Sequence, residues 1–309
     1  MPSIAHGEID RQLPAGAEIF LDHVGHFVRD PEAARRALER VGFAPTPISI
    51  QVDPAISVGT RLTGTGNVTA MLSRGYIEVL FKTADTALGR EFDAALIRHA
   101  GLHLAAFAVA DIEQAHRRLA GEGFRMRPLV RMQRPVETEA GADTAAFTIA
   151  RVEPDVMPEG RIQMLTHHSE EAVWQKRWLS HPNSATGLVD LIIAVGDVEE
   201  AAQRFAHFTG RTVTPAPGGA MIRLDRGGLL LVSHNGLSEL LPEVATTTLP
   251  FIAGYAVRVQ SLAAAETAVS SADLEWRAFE AGIVACFPAE LGEGAWFFVE
   301  RASALPWRR

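Results

Sequence analysis

The sequence predicts an α+β fold of four βαβββ modules, in which each module has one strand, one helix and about three antiparallel strands. The length of 309 residues suggests two domains or one large domain. A short pattern, made of an apolar strand, a polar cap and an Ala-rich helix, occurs four times. After each predicted helix the sequence changes to short segments that are typical of strands. These three observations together predict the repeated modules.

The four copies of this pattern differ in spacing and in strength. They occupy residues 21–34, 104–115, 190–201 and, in a weaker form, 254–263. The capping positions Asp30, Asp111, Asp197 and Gln260 are separated by 81, 86 and 63 residues. An aspartate at such a position accepts hydrogen bonds from the first turn of the helix. Because a solenoid needs a nearly constant period, the unequal intervals favour modules with loops of variable length.

Strand-like segments follow the predicted helices in all four modules. In the first module, two of them flank Ser73-Arg74-Gly75 and predict a hairpin. The predicted strands are residues 67–72, 76–81, 145–152, 161–166, 220–224, 229–233 and 295–299. The modules therefore supply enough strands for two sheets.

A linker is predicted between the second and third modules. Ser169 can cap a short helix there, and Pro182 should end it. We expect Trp174 and Trp178 to pack between the two halves, since tryptophan brings a large apolar area. The predicted organisation is an N-terminal arm (1–17), a first domain (18–168), a linker helix (169–184) and a second domain (185–309).

Composition excludes several classes of function. The 29 basic and 37 acidic residues give a net charge of −8, which argues against a broad nucleic-acid surface. A single cysteine, Cys286, excludes an internal disulfide and fits a reducing cytoplasm. No apolar run approaches the ~20 residues that cross a bilayer, and residues 1–8 do not resemble a secretory signal. No dinucleotide-binding or phosphate-binding loop is present, so no nucleotide cofactor is expected. We therefore predict a cytoplasmic protein that acts on a small molecule, without nucleic-acid or membrane partners.

Three stretches of the sequence resemble the vicinal oxygen chelate superfamily, and its glyoxalase-like branch in particular. They are residues 21–25 (LDHVG), 64–72 (GTGNVTAML) with 75–80 (GYIEVL), and 173–175 (VWQ) with 181–183 (HPN). The resemblance implies that two modules pair into a half-open barrel, so that four modules form two such domains. It also implies a divalent metal, such as Zn, Ni, Mn or Fe, held by His, Glu or Gln and chelated by two vicinal substrate oxygens.

The resemblance assigns candidate metal ligands to His23, Glu78 and His103. His23 lies seven residues before Asp30, and Glu78 lies in the fourth strand of the first module. The corresponding position seven residues before Asp111 is Leu104. His103 therefore reaches the cavity only if a β-bulge shifts its strand, because a shift of one residue moves a side chain to the other face.

Other polar residues complete the predicted site. Strand alternation places Tyr76 and Glu78 on one face, and we expect Tyr76, Asn67 and Gln163 to bind the substrate. Gln163 takes the place of Glu78 in the second module, but an amide cannot act as a general base. The catalytic residues are therefore predicted to be Glu78 and His167, which shares a face with Gln163. His167 is alternatively a solvated histidine at the start of the linker.

Three functions are compatible with these residues. The leading hypothesis is a metal-dependent lyase or isomerase that acts on a small vicinal-oxygen metabolite in the cavity of the first domain. The second is a metal-free protein that binds or sequesters a small molecule, in which His23 and Glu78 form a hydrogen-bonded pair. The third is an extradiol-type ring-cleaving dioxygenase, although dioxygenases of this length usually have their site in the second half.

The second half of the chain has few candidate site residues. The residues that stand where ligands are expected are Asp190, Leu231, Ala253 and either Phe297 or Phe298. We interpret this half as a degenerate copy that supports the first or provides a face for a homodimer.

Four arginines lie close together in the second module. We expect them to form a solvated face, and one of them can bind a substrate carboxylate or phosphate. These arginines are Arg125, Arg127, Arg131 and Arg134.

Overall fold

The computed structural model describes residues 11–53, 61–245 and 248–308, and these residues form sixteen strands and seven α-helices. The strands are β1 (Ile19–Phe27), β2 (Ser49–Asp53), β3 (Arg61–Met71), β4 (Tyr76–Lys82), β5 (Gly101–Val109), β6 (Val130–Thr138), β7 (Gly141–Arg151), β8 (Arg161–His167), β9 (Ala185–Ala194), β10 (Val213–Ala216), β11 (Gly219–Arg223), β12 (Gly228–Val232), β13 (Phe251–Val259), β14 (Trp276–Phe279), β15 (Gly282–Cys286) and β16 (Ala295–Val299). The helices are α1 (Pro31–Arg40), α2 (Ala87–Arg98), α3 (Ile112–Gly121), α4 (Glu170–Val173), α5 (Val198–Thr209), α6 (His234–Leu240) and α7 (Leu262–Ser271). None of the helices in the described ranges has the length and hydropathy needed to cross a membrane.

The order of these elements confirms the four βαβββ modules. The modules consist of β1, α1 and β2–β4, then β5, α3 and β6–β8, then β9, α5 and β10–β12, and finally β13, α7 and β14–β16. Helices α2, α4 and α6 lie between successive modules. The predicted strands agree with β3, β4, β7, β8, β11, β12 and β16 to within one residue at their C-terminal ends.

Side-chain caps begin the module helices. Three of them are the predicted aspartates, each of which accepts a hydrogen bond from the backbone N–H three residues further on: Asp30, Asp111 and Asp197. The predicted cap at Gln260 is wrong by one residue. The hydroxyl of Ser261 accepts the hydrogen bond from the Ala264 N–H, whereas the N–H of Gln260 donates to the carbonyl of Ser184. The short hydroxyl side chain of serine reaches the N–H groups of the first turn, and glutamine is not among the residues that favour the N-cap position.

The sixteen strands form two sheets. The first eight close into a barrel of order β1-β4-β3-β2-β6-β7-β8-β5, which we call the N-terminal barrel. Its two modules meet where β1 pairs antiparallel with β5 and where β2 pairs with β6 at Val52 and Gln133. The other eight strands form a sheet of order β10-β11-β12-β9-β13-β16-β15-β14, which we call the C-terminal sheet.

Strand alternation separates a shared apolar core from the interior of the barrel. On β1, Leu21 and Val24 are buried in the large core that also contains residues of the C-terminal sheet. Phe27 instead joins a small apolar cluster with Leu80 and Leu104 inside the barrel. Because successive side chains of a strand point to opposite faces, one strand can serve both regions. The barrel interior is therefore apolar at the Phe27 end of β1, and its polar side chains on this strand lie nearer the N-terminal end.

The linker differs from its prediction. Helix α4 ends at Val173, well before Pro182, and Ser169 precedes it without capping it. The hydroxyl of Ser169 instead accepts a hydrogen bond from the backbone N–H of Ala146 in β7. Trp174 and Trp178 belong to a cluster made of barrel and linker residues, so the predicted packing between the two halves is wrong. This linker folds back over one end of the barrel, because its tryptophans find apolar contacts there.

Candidate functional site

A β-bulge in β1 creates the most polar part of the barrel interior. Leu21 lies opposite Phe107 of β5 and His23 lies opposite Ala106, so Asp22 is an extra residue in the ladder. In a regular strand Asp22 and His23 would point to opposite faces. The bulge brings them together, and the Asp22 carboxylate accepts a hydrogen bond of 2.7 Å from Nδ1 of His23.

Asp22 is a buried carboxylate between two histidines. Its side chain is fully buried, and it also accepts hydrogen bonds of 3.2 Å from Nε2 of His167. Burial alone would raise the pKa of Asp22, but His167 and His23 together hold it well below its usual range. Asp22 is therefore ionised, and it orients both imidazole rings. Sequence reasoning did not select this residue, because a neighbour of His23 in a regular strand lies on the opposite face.

The other nitrogen of His23 faces a second carboxylate. Nε2 of His23 lies 3.5 Å from Oε2 of Glu78, and Oε1 of Glu78 accepts a hydrogen bond of 2.6 Å from Nδ2 of Asn67. The ring of Tyr76 stacks on His23 with centroids 4.4 Å apart. Burial, together with the charges of Asp22 and Glu78, raises the pKa of Tyr76 well above its usual value, so its phenol stays neutral. The sequence-predicted residues His23, Asn67, Tyr76 and Glu78 are thus brought together.

The pairing register identifies the equivalent residues of the second module. Glu78 lies opposite Gly25, which is five residues before the cap of α1. Gln163 lies opposite Ala106, which is likewise five residues before the cap of α3. Gln163 therefore occupies the place of Glu78, as expected, and Leu104 occupies the place of His23. The Oε1 atom of Gln163 accepts a hydrogen bond of 3.0 Å from Nε of Arg151.

His103 does not join His23 and Glu78. It is the extra residue of a second bulge, between Leu102 and Leu104 of β5. Its Nε2 donates to the backbone carbonyl of His99 over 2.8 Å, and its ring stacks on that of His99. Burial, with the neighbouring His99, lowers the pKa of His103 to about 3, so the ring is neutral. The expected bulge exists, but it directs His103 toward α2 and into a different cavity, so the predicted set of three ligands is not assembled.

Two cavities meet inside the barrel. A small one of about 30 Å³ is lined by His23, Tyr76, Glu78 and Gln163, among others. A larger one of about 310 Å³ lies at the α2 end and contains His103 in its wall. Arg151 and Arg161 line both cavities. Sequence reasoning missed these two arginines, although their positions at the end of β7 and the start of β8, beside apolar strand residues, were a signal of burial.

An aromatic cluster covers the other end of the site. The ring of Trp174 lies 4.8 Å from that of His167 and 6.0 Å from that of Tyr76, as centroid distances. The Nδ1 atom of His167 and the Nε1 atom of Trp174 are buried without a hydrogen-bond partner in the described part of the chain. His167 is thus a buried residue that contacts Asp22, and the alternative of a solvated histidine is wrong.

The predicted arginine cluster disperses over several environments. Arg125 pairs with Asp155 at the surface, whereas Arg127 lies in the wall of the larger cavity and bonds to Glu91 and Glu153. The half-buried Arg134 has a lowered pKa, chiefly because of burial. Arg127 therefore reaches the larger cavity, and Arg134 lines a third cavity between the barrel and the linker.

Sequence comparison identifies the family. Residues 21–209 match the family model described as a glyoxalase-like domain, and this match covers more than half of the chain. The chain belongs to the glyoxalase-like domain family. Membership in the vicinal oxygen chelate superfamily, which the sequence motifs predicted, is therefore confirmed. No curated protein matches this glyoxalase-like chain.

Solved structures share the fold of the glyoxalase-like chain at low sequence identity. A hypothetical protein from Staphylococcus aureus matches with a TM-score of 0.61 at 9% identity, over 91% of this chain and 98% of that chain. A mutant of 4-hydroxymandelate synthase from Streptomyces coelicolor matches with a TM-score of 0.52 at 13% identity, over 94% and 95%. A fusion of a xylose isomerase-like TIM barrel and 4-hydroxyphenylpyruvate dioxygenase has a TM-score of 0.50 at 12% identity, over 96% of this chain and 51% of that chain. These similarities show the fold alone.

The superfamily implies a divalent metal, and the donor atoms present in the glyoxalase-like chain decide whether its site can hold one. His23 and Glu78 are two strong donors, but Leu104 fills the third position and the Gln163 oxygen accepts a hydrogen bond from Arg151. Within residues 11–53, 61–245 and 248–308, no group of three or more His, Cys, Asp or Glu side chains could hold a metal ion. A guanidinium beside Gln163 also repels a cation. The described residues therefore do not fit the predicted metal centre.

In the C-terminal sheet of the glyoxalase-like chain, the residue equivalent to His23 binds the C-terminal segment. Asp190 lies seven residues before the cap Asp197, as His23 lies before Asp30. Its carboxylate accepts hydrogen bonds of 2.7 Å from Nε1 of Trp307 and from Nε of Arg308. The C-terminal segment therefore occupies the place that the polar site has in the barrel, which agrees with a degenerate second half.

Proposed function

We propose that the N-terminal barrel catalyses a proton transfer on a small oxygenated metabolite, as a lyase or isomerase, with His23 as the acid and base and without a resident metal. The observation that carries this proposal is the Asp22–His23 pair inside a closed barrel. A carboxylate hydrogen-bonded to one ring nitrogen holds the imidazole in a single tautomer and stabilises its protonated form. The family membership supports chemistry on a vicinal-oxygen compound.

The chemistry follows from the tautomer of His23. Because Nδ1 donates to Asp22, Nε2 carries the lone pair of the neutral ring. Nε2 can remove a proton from a substrate carbon next to a carbonyl group. The electron pair of the broken C–H bond then forms a C=C bond, and the π pair of the carbonyl group moves to its oxygen. In an isomerisation of a 2-hydroxy carbonyl compound, His23 returns the proton to the former carbonyl carbon, while the proton of the substrate hydroxyl moves to the former carbonyl oxygen. In a lyase reaction, the same electron pair expels a leaving group, which takes up the proton from His23.

The neighbours of His23 have positioning roles in this proposal. Glu78 accepts from Asn67 with one oxygen and faces Nε2 of His23 with the other at 3.5 Å. When Nε2 of His23 is unprotonated, it and the Oε2 atom of Glu78 are both acceptors, and a substrate hydroxyl can donate to one of them. When Nε2 is protonated, it can itself donate toward Glu78. His167 bonds to the same carboxylate as His23 and fixes the position of Asp22. The neutral phenol of Tyr76 can donate to a substrate oxygen.

The test is hydrogen exchange at an acidic carbon. 4-Hydroxyphenylpyruvate is a suitable first probe, because a structural neighbour is described as a dioxygenase of this compound. We expect wild-type protein treated with a chelator to accelerate loss of the C3 proton signal in D₂O, measured by NMR against the rate in buffer. His23→Gln should lose this acceleration by about 100-fold or more, since general bases contribute at least that much.

A matched control and a contradicting result complete this test. His234 is an exposed histidine outside the barrel, and His234→Gln should leave the exchange rate unchanged. Equal rates for wild type and His23→Gln with this probe and with a panel of smaller 2-oxo and 2-hydroxy acids would contradict the proposal. Acceleration that disappears with chelator and returns with one metal ion would contradict its metal-free form.

A metal-dependent lyase, isomerase or ring-cleaving dioxygenase is the second candidate. It is supported by the superfamily and by the 3.5 Å separation of His23 Nε2 and Glu78 Oε2, two atoms of ligand type that face one cavity. Calorimetric titration with Zn²⁺, Ni²⁺, Mn²⁺ and anaerobic Fe²⁺ tests it. Stoichiometric binding that is lost in both His23→Ala and Glu78→Ala would favour this candidate, and oxygen uptake with catechols would identify the dioxygenase.

Sequestration without catalysis is the third candidate. It is supported by the closed barrel and by the presence of a cavity of about 310 Å³, which lies in the size range of small-molecule sites. Tight binding of a ligand that is recovered unchanged, without proton exchange, would favour it. In each case we propose a cytoplasmic setting, with which a chain that has a single cysteine is compatible.

A further inference from the structure

The larger cavity of the barrel has an apolar body and a charged rim. Its volume is about 310 Å³, and its wall includes apolar side chains from β1, α2, β8 and the segment between β7 and β8: Phe27, Ala94, Ala95, Val152, Pro158 and Ile162. The adjoining cavity at His23 and Glu78 measures only about 30 Å³, which is roughly the volume of one water molecule. The bulk of any ligand must therefore occupy the larger cavity.

Positive charge exceeds negative charge at the rim. Arg127 and Arg161 share the carboxylate of Glu91, with distances of 2.8 and 3.0 Å, and Arg127 also pairs with Glu153. Arg151 lines the cavity as well, and no carboxylate of the described residues forms a salt bridge with it. With Arg98, which also lines the cavity, four guanidinium groups stand against the two carboxylates of Glu91 and Glu153.

Arg151 is the buried arginine of this cavity that forms no salt bridge with a described residue. Its side chain is about nine-tenths buried, and its hydrogen bond to a described side chain uses only the Nε–H, which donates to Gln163. Burial, with the nearby Arg161, lowers the pKa of Arg151 to about 9. The nearby charges of Glu91 and Glu78 act in the opposite direction but do not offset burial. A buried cation without a salt-bridged carboxylate is costly, and an oxyanion that accepts from the guanidinium removes much of that cost.

Arg161 is held in a fixed orientation beside Arg151. Its guanidinium lies over the rings of Phe27 and Phe92, 5.2 and 4.9 Å from the centroids, and Glu91 holds one of its terminal nitrogens. A planar, immobilised guanidinium binds oxyanions with defined geometry. Both arginines line the small cavity too, so an anion held by them lies beside Gln163 and near Glu78.

We infer that the ligand of the barrel carries an oxyanion, either a carboxylate or a phosphate, on an apolar body, and that Arg151 and Arg161 bind this oxyanion while the apolar body fills the cavity under α2. This inference rests on the proposed function, because it assumes that the reaction takes place beside His23. It concerns only the binding of the ligand, and binding measurements alone test it.

The test compares three probes of similar shape by isothermal titration calorimetry. They are phenylacetate, phenyl phosphate and the neutral phenylacetamide. We expect at least one of the two anions to bind about 10- to 100-fold more tightly than the amide, since a hydrogen bond to a charged group contributes about 1.5–3 kcal/mol. The comparison between the two anions distinguishes a carboxylate site from a phosphate site.

Variants separate the arginine contribution from general packing. Arg151→Met should abolish the preference for the anion over the amide, and Arg151→Lys should retain part of it. Arg125→Met, which changes a surface arginine paired with Asp155, is the matched control and should bind as wild type. Circular dichroism and thermal unfolding of Arg151→Lys verify that the barrel is folded if Arg151→Met is unstable.

The outcomes distinguish this inference from the proposed function. Equal binding of the anions and the amide, no binding of either anion, or an unchanged preference in Arg151→Met would overturn the inference. His23→Gln should bind the anions as wild type does while it fails to accelerate proton exchange. If wild-type protein binds the anions but accelerates no exchange, the proposed function fails and the inference stands.

Discussion

The Asp22 carboxylate accepts a hydrogen bond of 2.7 Å from His23, the next residue along β1. Adjacent residues of a regular strand cannot meet in this way, because their side chains point to opposite faces. The bulge between Leu21 and His23 makes the contact possible. One extra residue in a ladder thereby converts a histidine in a strand into an oriented acid–base group.

Asp22→Asn should reduce proton exchange by about 100-fold while the protein stays folded. The amide keeps the shape of the side chain but has no charge to stabilise protonated His23, and it can select the wrong tautomer. The exchange rate measured by NMR and the binding of phenylacetate check this prediction, and binding should not change. Asp143→Asn, at an exposed position in β7, is the control. A wild-type exchange rate in Asp22→Asn would show that the contact is structural only.

His26 should make the protein less stable as the pH falls from 6.5 to 4. Its Nδ1 donates to the carbonyl of Leu291 over 2.9 Å and its Nε2 accepts from Tyr255 over 3.1 Å, and burial lowers the pKa of His26 from 6.5 to about 4. Between these two values the unfolded chain binds more protons than the folded chain, so the free energy of unfolding rises with pH.

Removal of His26 should flatten this pH dependence. In urea unfolding between pH 6.5 and 4, we expect the loss of stability in His26→Leu to be smaller than in wild type by about 3 kcal/mol. The control His234→Asn changes an exposed histidine and should follow wild type. Parallel curves for His26→Leu and wild type would mean that His26 is not held neutral in the fold.

Gly75→Ala should destabilise the protein and disturb the site. Gly75 has a φ of +73°, and a Cβ there would lie 2.4 Å from the carbonyl oxygen of Asp22. Gly123 has a φ of +93° with open space around it, so Gly123→Ala measures backbone strain alone. We expect urea unfolding to show about 1 kcal/mol of destabilisation for Gly123→Ala and about 1–3 kcal/mol more for Gly75→Ala. Equal values would show that the β1 backbone moves freely, which would weaken the role of the bulge.

Trp174→Ala should destabilise the barrel by about 3 kcal/mol or more, as expected for removal of a buried aromatic ring. The ring closes one end of the site against Tyr76 and His167, so proton exchange should also fall because water reaches Asp22. Trp178→Ala removes a half-buried tryptophan of the same linker and should have a smaller effect on both. Urea unfolding and exchange rates check the pair. If Trp174→Ala were as stable and active as Trp178→Ala, the linker would not be part of the site.

The sequence by itself determined the module architecture of this protein. Four caps, alternating strands and glycine-containing turns are local features, and their effect depends on residues that are close together in the chain. The place of Glu78 and Tyr76 on one face, and the equivalence of Gln163 to Glu78, follow from the same alternation. Family membership could also be predicted, since its motifs are short and contiguous.

Only the tertiary structure decided which side chains meet. The inward turn of Asp22, the displacement of His103 toward α2, the burial of Arg151 and Arg161 and the position of Trp174 all depend on contacts between distant segments. A bulge adds one residue to a ladder, so it changes every later prediction of which face a side chain occupies, and local periodicity does not encode it. The metal centre expected from three residues was therefore not assembled, and a buried carboxylate and two guanidinium groups, whose meeting no local pattern indicated, line the barrel instead.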